Sequence, residues 1–216
     1  MGQVNTTSIL DSAEFQGLAQ EMTRTVSFLA DRGWTPATSS NFSARLPRTP
    51  GHYLISRSGI HKERFTAGDL MVVDGAGAAV EPLDEKPSAE TLLHMALYHD
   101  VQVGAVLHMH SVNSTVLSMR YHTQGQLRFS GYEILKGLAG HASHEVTEVL
   151  PIFQNSQDMG ELAYAVREYR CAHPNLHGFL LAGHGLYAWG TDVLSAKRHV
   201  EVFEFLFECM LKDIGP

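Results

Sequence analysis

Cysteine is nearly absent from this chain: only Cys171 and Cys209 occur in 216 residues, with no CxxC pair. That excludes a disulfide framework and a thiolate zinc knuckle, and it suits a reducing compartment. Basic charge is short as well, with 16 Lys and Arg against 23 Asp and Glu and a net charge of −7. A general nucleic-acid surface needs a basic stripe, so a nucleic-acid partner is not expected. A small anion held by a few local cations remains open. No apolar run reaches the roughly 18 residues of a membrane span. The opening MGQVNTTSILDSAEF has neither a basic start nor an apolar stretch of signal-peptide type. A cytoplasmic protein without a membrane partner is therefore expected.

What the chain does have is 44% apolar residues, enough to bury a core. Its length suits one domain, given roughly 100–200 residues per domain. Residues 1–10 read as a loose tail and 11–216 as one unit, with no repeat or linker. From Asp11, with Glu14 as capping-box partner, Phe15, Leu18, Ala19, Met22, Val26 and Leu29 form a helical stripe that Gly33 and Pro36 stop. NFSARL, HYLISRS and DLMVVD are short strands between turn signals. Ser88 reads as the N-cap of a helix running to about His99. VGAVLHMH is strand, SVNSTVLSMR a short helix, and LRFSGYEILKGLAG a short strand with a helical turn. HEVTEVLPIF is strand and MGELAYAVREYR helix; GFLLAGHGLYAWG is two strands about a Gly-rich bend, and Thr191 caps a long last helix. Interleaved helices with several strands joined by tight turns predict a three-layer αβα fold around a mixed, largely antiparallel sheet.

Chemistry concentrates first in VLHMHS. Strand side chains alternate with period two, so His108 and His110 share a face while Met109 points away. His184, flanked by Gly183 and Gly185, sits on a sharp bend at a strand end. Three imidazoles arranged so would leave an open coordination position, as catalytic zinc requires. With 13 His in the chain, an HxH pair also arises by chance.

The succession TSSNFSAR, SRSGIHKERF, KPSAETLLH, VLHMHS, GYEILKG and AGHGLYAWG is similar, in order and spacing, to the class II aldolase/adducin-head family over about residues 11–212. The Ser-Gly-x-x-Lys-Glu and Glu-x-x-Lys-Gly stretches resemble its dehydratases. The resemblance implies a homotetramer with sites close to subunit boundaries, one Zn²⁺ per subunit, and a sugar-phosphate substrate. It makes His108, His110 and His184 the zinc ligands, with Glu133 in the place of the dehydratase acid/base and Glu90 in that of the aldolases. It lays the phosphate cradle on Asn41, Ser58-Gly59 and Ser88. The family usually has glycine where this chain has Ser40, a change expected to narrow that loop.

The implied activity is metal-assisted loss of water from 5-methylthioribulose 1-phosphate, a step of methionine salvage. The alternatives are aldol cleavage or epimerisation of a related sugar phosphate through the same enediolate chemistry, and a non-catalytic binding module of the adducin type. Ser58-Gly59 ends a strand and Ser88 starts the expected helix, so both offer backbone N–H groups to an anion, and Lys62 adds a point charge. Taken alone, Ser58-Gly59 and Ser88 are more often ordinary turn and cap residues than phosphate ligands, and Lys62 a solvated loop residue. Glu133 sits among Tyr132, Ile134 and Leu135, a setting expected to desolvate its carboxyl and lift its pKa. Met119, Tyr121 and Phe129 are the candidates for the methylthio end. The apolar run Phe203, Phe205, Leu206 and Phe207 makes the last helix apolar on more than one face.

Overall fold

The computed structural model describes residues 8–214. A nine-stranded sheet runs through it in the order β4-β3-β2-β1-β5-β9-β8-β7-β6. The strands are β1 (Asn41–Arg45), β2 (His52–Ser56), β3 (Leu70–Asp74), β4 (Ala79–Glu81), β5 (Ala105–Met109), β6 (Gln126–Phe129), β7 (Glu148–Phe153), β8 (Gly178–Leu181) and β9 (Gly185–Gly190). Every neighbouring pair is antiparallel except β7 with β8. The helices are α1 (Ala13–Asp31), α2 (Thr91–Leu97), α3 (Val112–Tyr121), α4 (Met159–Ala172) and α5 (Val193–Ile214).

Strand alternation divides the core into two layers. Phe42, Leu54, Val72, Leu107 and Ala188 turn to one face and pack with α1, α3 and α5. Ile55, Met71, Val106, Phe179 and Trp189 turn to the other, against α2 and α4. This is the expected three-layer fold with its mixed, mostly antiparallel sheet.

Local boundaries differ from expectation at both ends of the chain. Ser12, not Asp11, caps α1, accepting from the Phe15 N–H; Glu14 instead holds the Arg48 N–H and the Thr49 hydroxyl. Asp192, not Thr191, caps α5 by accepting from the Ser195 N–H. Residues 1–7 of the expected tail lie outside the described residues, whereas Ile9 and Leu10 pack on the core and the Leu10 N–H donates to Glu81. Apolar side chains and that backbone-to-carboxylate bond are what hold those residues down.

Candidate metal centre

Register builds the site. Asn41 of β1 pairs with His108 of β5, and His108 pairs with Tyr187 of β9. The three side chains therefore stand in one row across the face that α2 covers. Tyr187 stacks on the His108 ring at 4.0 Å between centroids. His110 follows just past the end of β5, where its N–H donates to the Trp34 carbonyl. His184 sits in the β8–β9 turn, with Gly183 at φ +66°. Gly185 is required by close packing, because a Cβ there would lie 2.0 Å from the Met109 carbonyl oxygen.

The three imidazoles converge. His108 Nε2 lies 2.8 Å from His110 Nε2 and 3.3 Å from His184 Nε2. The Nδ1–H of His108 donates to the Leu186 carbonyl at 3.0 Å, which fixes the tautomer and leaves Nε2 with a lone pair. Tetrahedral nitrogen ligands at the usual zinc distances stand about 3.3 Å apart, so a divalent ion fits this set. Burial holds His108 well below its ordinary pKa, and burial, then the charge of His184, brings His110 down to about 4. Both shifts favour the neutral form of His108 and His110, the form that can bind a cation.

Glu90 closes the fourth side, with Oε2 3.3 Å from His108 Nε2 and Oε1 3.1 Å from His184 Nε2. It accepts from the Asn41 amide at 2.6 Å and from the Tyr187 hydroxyl at 2.7 Å. Burial alone would raise its pKa, but the facing histidines and the Asn41 donor together outweigh burial and hold it well below the usual carboxylate range. Behind it a relay sets the amide: His94 Nε2 donates to Asn41 Oδ1, and His94 Nδ1 accepts from Ser43, whose oxygen faces Tyr98. His94 and Tyr187 escaped the sequence reading. His94 lies four residues after Glu90, a spacing that places two residues on one helix face; Tyr187 carried no signal, because strand register is not local.

The expected phosphate residues divide. Asn41 is buried, and its amide donates to the Glu90 carboxylate while its oxygen accepts from His94. Ser88 does not cap a helix: α2 begins at Thr91, and the Ser88 hydroxyl accepts from the Glu90 N–H. Pro87 and the bridge to Arg57 hold that segment extended beside Ser58, whose N–H donates to the Lys86 carbonyl. Gly59 next to it takes φ +75°. Lys62 is only 2% exposed, not a solvated loop residue. Its ammonium donates to the Ile60 carbonyl, burial lowers its pKa to about 8, and its charge acts on His110. Ser40 adopts φ +74°, a left-handed backbone that glycine takes more readily.

Glu133 stands apart from the histidines within the chain. Its side chain is 70% exposed and pairs with Lys136 and His144. The Lys136 hydrogen bond lowers its pKa, so the expected desolvation is not found in one subunit. It lines an open apolar cavity of about 940 Å³ with Ile134 and Phe205. A separate cleft of about 330 Å³ adjoins Glu90, His110 and His184, and Asn155, Gln157 and Met159 line its far side. Of the residues expected at the methylthio end, Phe129 is buried in the core, Tyr121 packs against that core, and Met119 touches only the Gly183 edge of the cleft.

Residues 20–211 match the family described as the class II aldolase and adducin N-terminal domain. Methylthioribulose-1-phosphate dehydratase of Sorangium cellulosum (strain So ce56) is 45% identical over 204 residues, 94% of this chain and 95% of its own. The enzyme of that name from Azotobacter vinelandii (strain DJ / ATCC BAA-1303) is 51% identical over 186 residues, 86% of this chain and 88% of its own. L-fuculose-1-phosphate aldolase from Thermus thermophilus superposes with a TM-score of 0.71 at 25% identity, over 91% of this chain and 94% of that one. With its sheet order, its three converging imidazoles and its relatives in agreement, the chain belongs to the class II aldolase and adducin N-terminal domain family.

Proposed function

We propose that this chain dehydrates 5-methylthioribulose 1-phosphate to 2,3-diketo-5-methylthiopentyl 1-phosphate, with one Zn²⁺ per subunit on His108, His110 and His184. The observation that carries it is the convergence of three imidazole nitrogens on one point beside the 330 Å³ cleft. Dehydratase relatives that span nearly the whole chain supply the substrate. Bound zinc supplies Lewis-acid polarisation of the ketose carbonyl and its neighbouring hydroxyl. Lys62, Ser58-Gly59 and Ser88 hold the phosphate end and so fix the reacting carbons at the centre. Glu90, kept ionised by the facing histidines and the Asn41 donor, orients the ligand set and accepts from a substrate hydroxyl.

Glu133 takes the C3 proton and returns a proton to the departing C4 hydroxyl, so that the group leaves as water. In one subunit it is exposed among apolar residues, with Phe205 half-exposed beside it. A homotetramer that covers this face desolvates Glu133 and carries it to the cleft of an adjoining copy. The product of incubating the zinc-loaded protein with methylthioribulose 1-phosphate tests the reading: a diketone with no carbon–carbon cleavage is expected.

A second reading, aldol cleavage or epimerisation with Glu90 as acid/base, is favoured by one observation. Glu90, not Glu133, is the carboxylate that touches the histidines. Turnover of fuculose or ribulose phosphates in place of the methylthio sugar would establish it.

A further inference from the structure

A second cluster of metal-type donors lies at the opposite end of the β5–β9 pair. His141 Nε2 is 2.8 Å from Glu148 Oε2, and His177 Nδ1 is 3.0 Å from Glu148 Oε1. The three donor atoms lie within 4.8 Å of one another, with Glu148 and His177 buried. They come from separate places: a loop, the first residue of β7 and the residue before β8.

The hydrogen bonds around them decide which atoms carry protons. His177 Nε2 is 2.8 Å from the Ala139 carbonyl, which can only accept, so Nε2 carries hydrogen. In the neutral ring Nδ1 is then a lone pair aimed at a buried carboxylate. Two electron-rich atoms at that distance repel unless something positive lies between them. His108 is arranged the same way, with a backbone carbonyl holding the outer nitrogen and the inner one left bare.

A further layer supports the arrangement. The Ala139 N–H donates to His199 Nε2, and His199 Nδ1 donates to the Trp189 carbonyl. His199 thus has both nitrogens engaged and clamps the peptide that orients His177. A cavity of about 420 Å³ opens on His141 and His177, leaving room for water or an anion to complete a coordination shell; Arg198 also lines it.

We infer that His141, Glu148 and His177 form a second binding site for a first-row divalent cation of the Zn²⁺ class. Two imidazoles with one carboxylate are a donor set such ions take. Binding replaces any proton held between Glu148 and the rings, and that proton goes to solvent. The ion would tie the loop at His141 to the start of β7 and β8, far from the ligands His108, His110 and His184.

Zinc titration of the metal-stripped protein tests this, with bound metal measured by elemental analysis and the titration repeated with Co²⁺ for its visible spectrum. Two equivalents per chain are expected for the native sequence, one for His141→Ala and one for the His108→Ala/His110→Ala double variant. His141 lies on a half-exposed loop, so its loss leaves the fold intact; Glu148→Gln serves as a second probe and should also bind one equivalent. A native chain that binds a single equivalent, or a His141→Ala chain that still binds two, overturns the inference: the cluster is then a proton-bridged pair only.

Discussion

Glu204 offers a test of the packing beside the metal ligands. It lies on α5, is 3% exposed, and accepts from the Ser111 hydroxyl at 2.6 Å. Ser111 follows His110 directly and caps α3, so this carboxyl ties the last helix to the segment that carries a ligand. Its second oxygen is buried without a partner. Burial raises its pKa to about 7 from 4.5, against the lowering effect of its bond to Ser111. The folded chain therefore binds more protons than the unfolded chain between those two values, and stability falls as pH rises through that window. At about 1.4 kcal/mol for each tenfold change in proton affinity, the full loss is about 3 kcal/mol above pH 7. Below pH 4.5 both states are protonated and the loss is absent. Glu204→Gln removes this titration while keeping the shape. The buried amide adds a constant offset of about 1–3 kcal/mol for any unpaired N–H, so the pH slope carries the test. Urea unfolding of both proteins from about pH 4.5 to 8 should show the variant gaining about 3 kcal/mol relative to the parent across the window. A difference that stays flat with pH would refute the assignment of a raised pKa to this group.

Three further outcomes follow from the site. His108→Ala and Glu133→Gln should each abolish turnover, the first with loss of zinc and the second with zinc retained. If Glu133 serves an adjoining copy, mixing and reassembling the two variants restores about a quarter of native activity, because random pairing completes that share of sites; no recovery would refute its service to an adjoining copy, and near-normal turnover of Glu133→Gln would place it outside the mechanism. Gly185→Ala drives a methyl group onto the Met109 carbonyl, and should cost about 2 kcal/mol or more in thermal unfolding and lower zinc stoichiometry together. Ser40→Gly relieves a left-handed backbone in a residue with a Cβ, and should raise stability by up to about 1 kcal/mol in denaturant unfolding.

The parts of the site legible in the sequence are those set by local geometry. A period of two put His108 and His110 on one face whatever their neighbours, and two glycines announced the bend at His184. The two-sided sheet was legible for the same reason, since alternation at Phe42, Leu54 and Leu107 against Ile55 and Val106 needs no partner to be read. What was hidden depends on register or on a covering surface. Nothing local says that Asn41 and Tyr187 flank His108, and a slip of one residue would turn their side chains to the opposite layer. The place of Asn41 along the chain was visible, while its row in the sheet beside His108 was not.

The same distinction explains the two carboxylates. Glu90 reaches the histidines because α2 starts at Thr91 rather than directly after Ser88, which leaves Glu90 at the helix entrance over the Asn41–His108–Tyr187 row. Its placement is fixed inside the subunit by two donors, and the facing histidines with the Asn41 donor favour its ionised form. Glu133 has no comparable restraint: it sits on an exposed turn, with only Lys136 and His144 to pair with among the described residues, beside an apolar surface that includes Ile134 and Phe205. A proton-transfer group gains from desolvation that one subunit does not give it. In the proposed mechanism the positioning carboxylate is the one buried at the three histidines, and the exchanging one lies on an exposed apolar face that a second copy would cover.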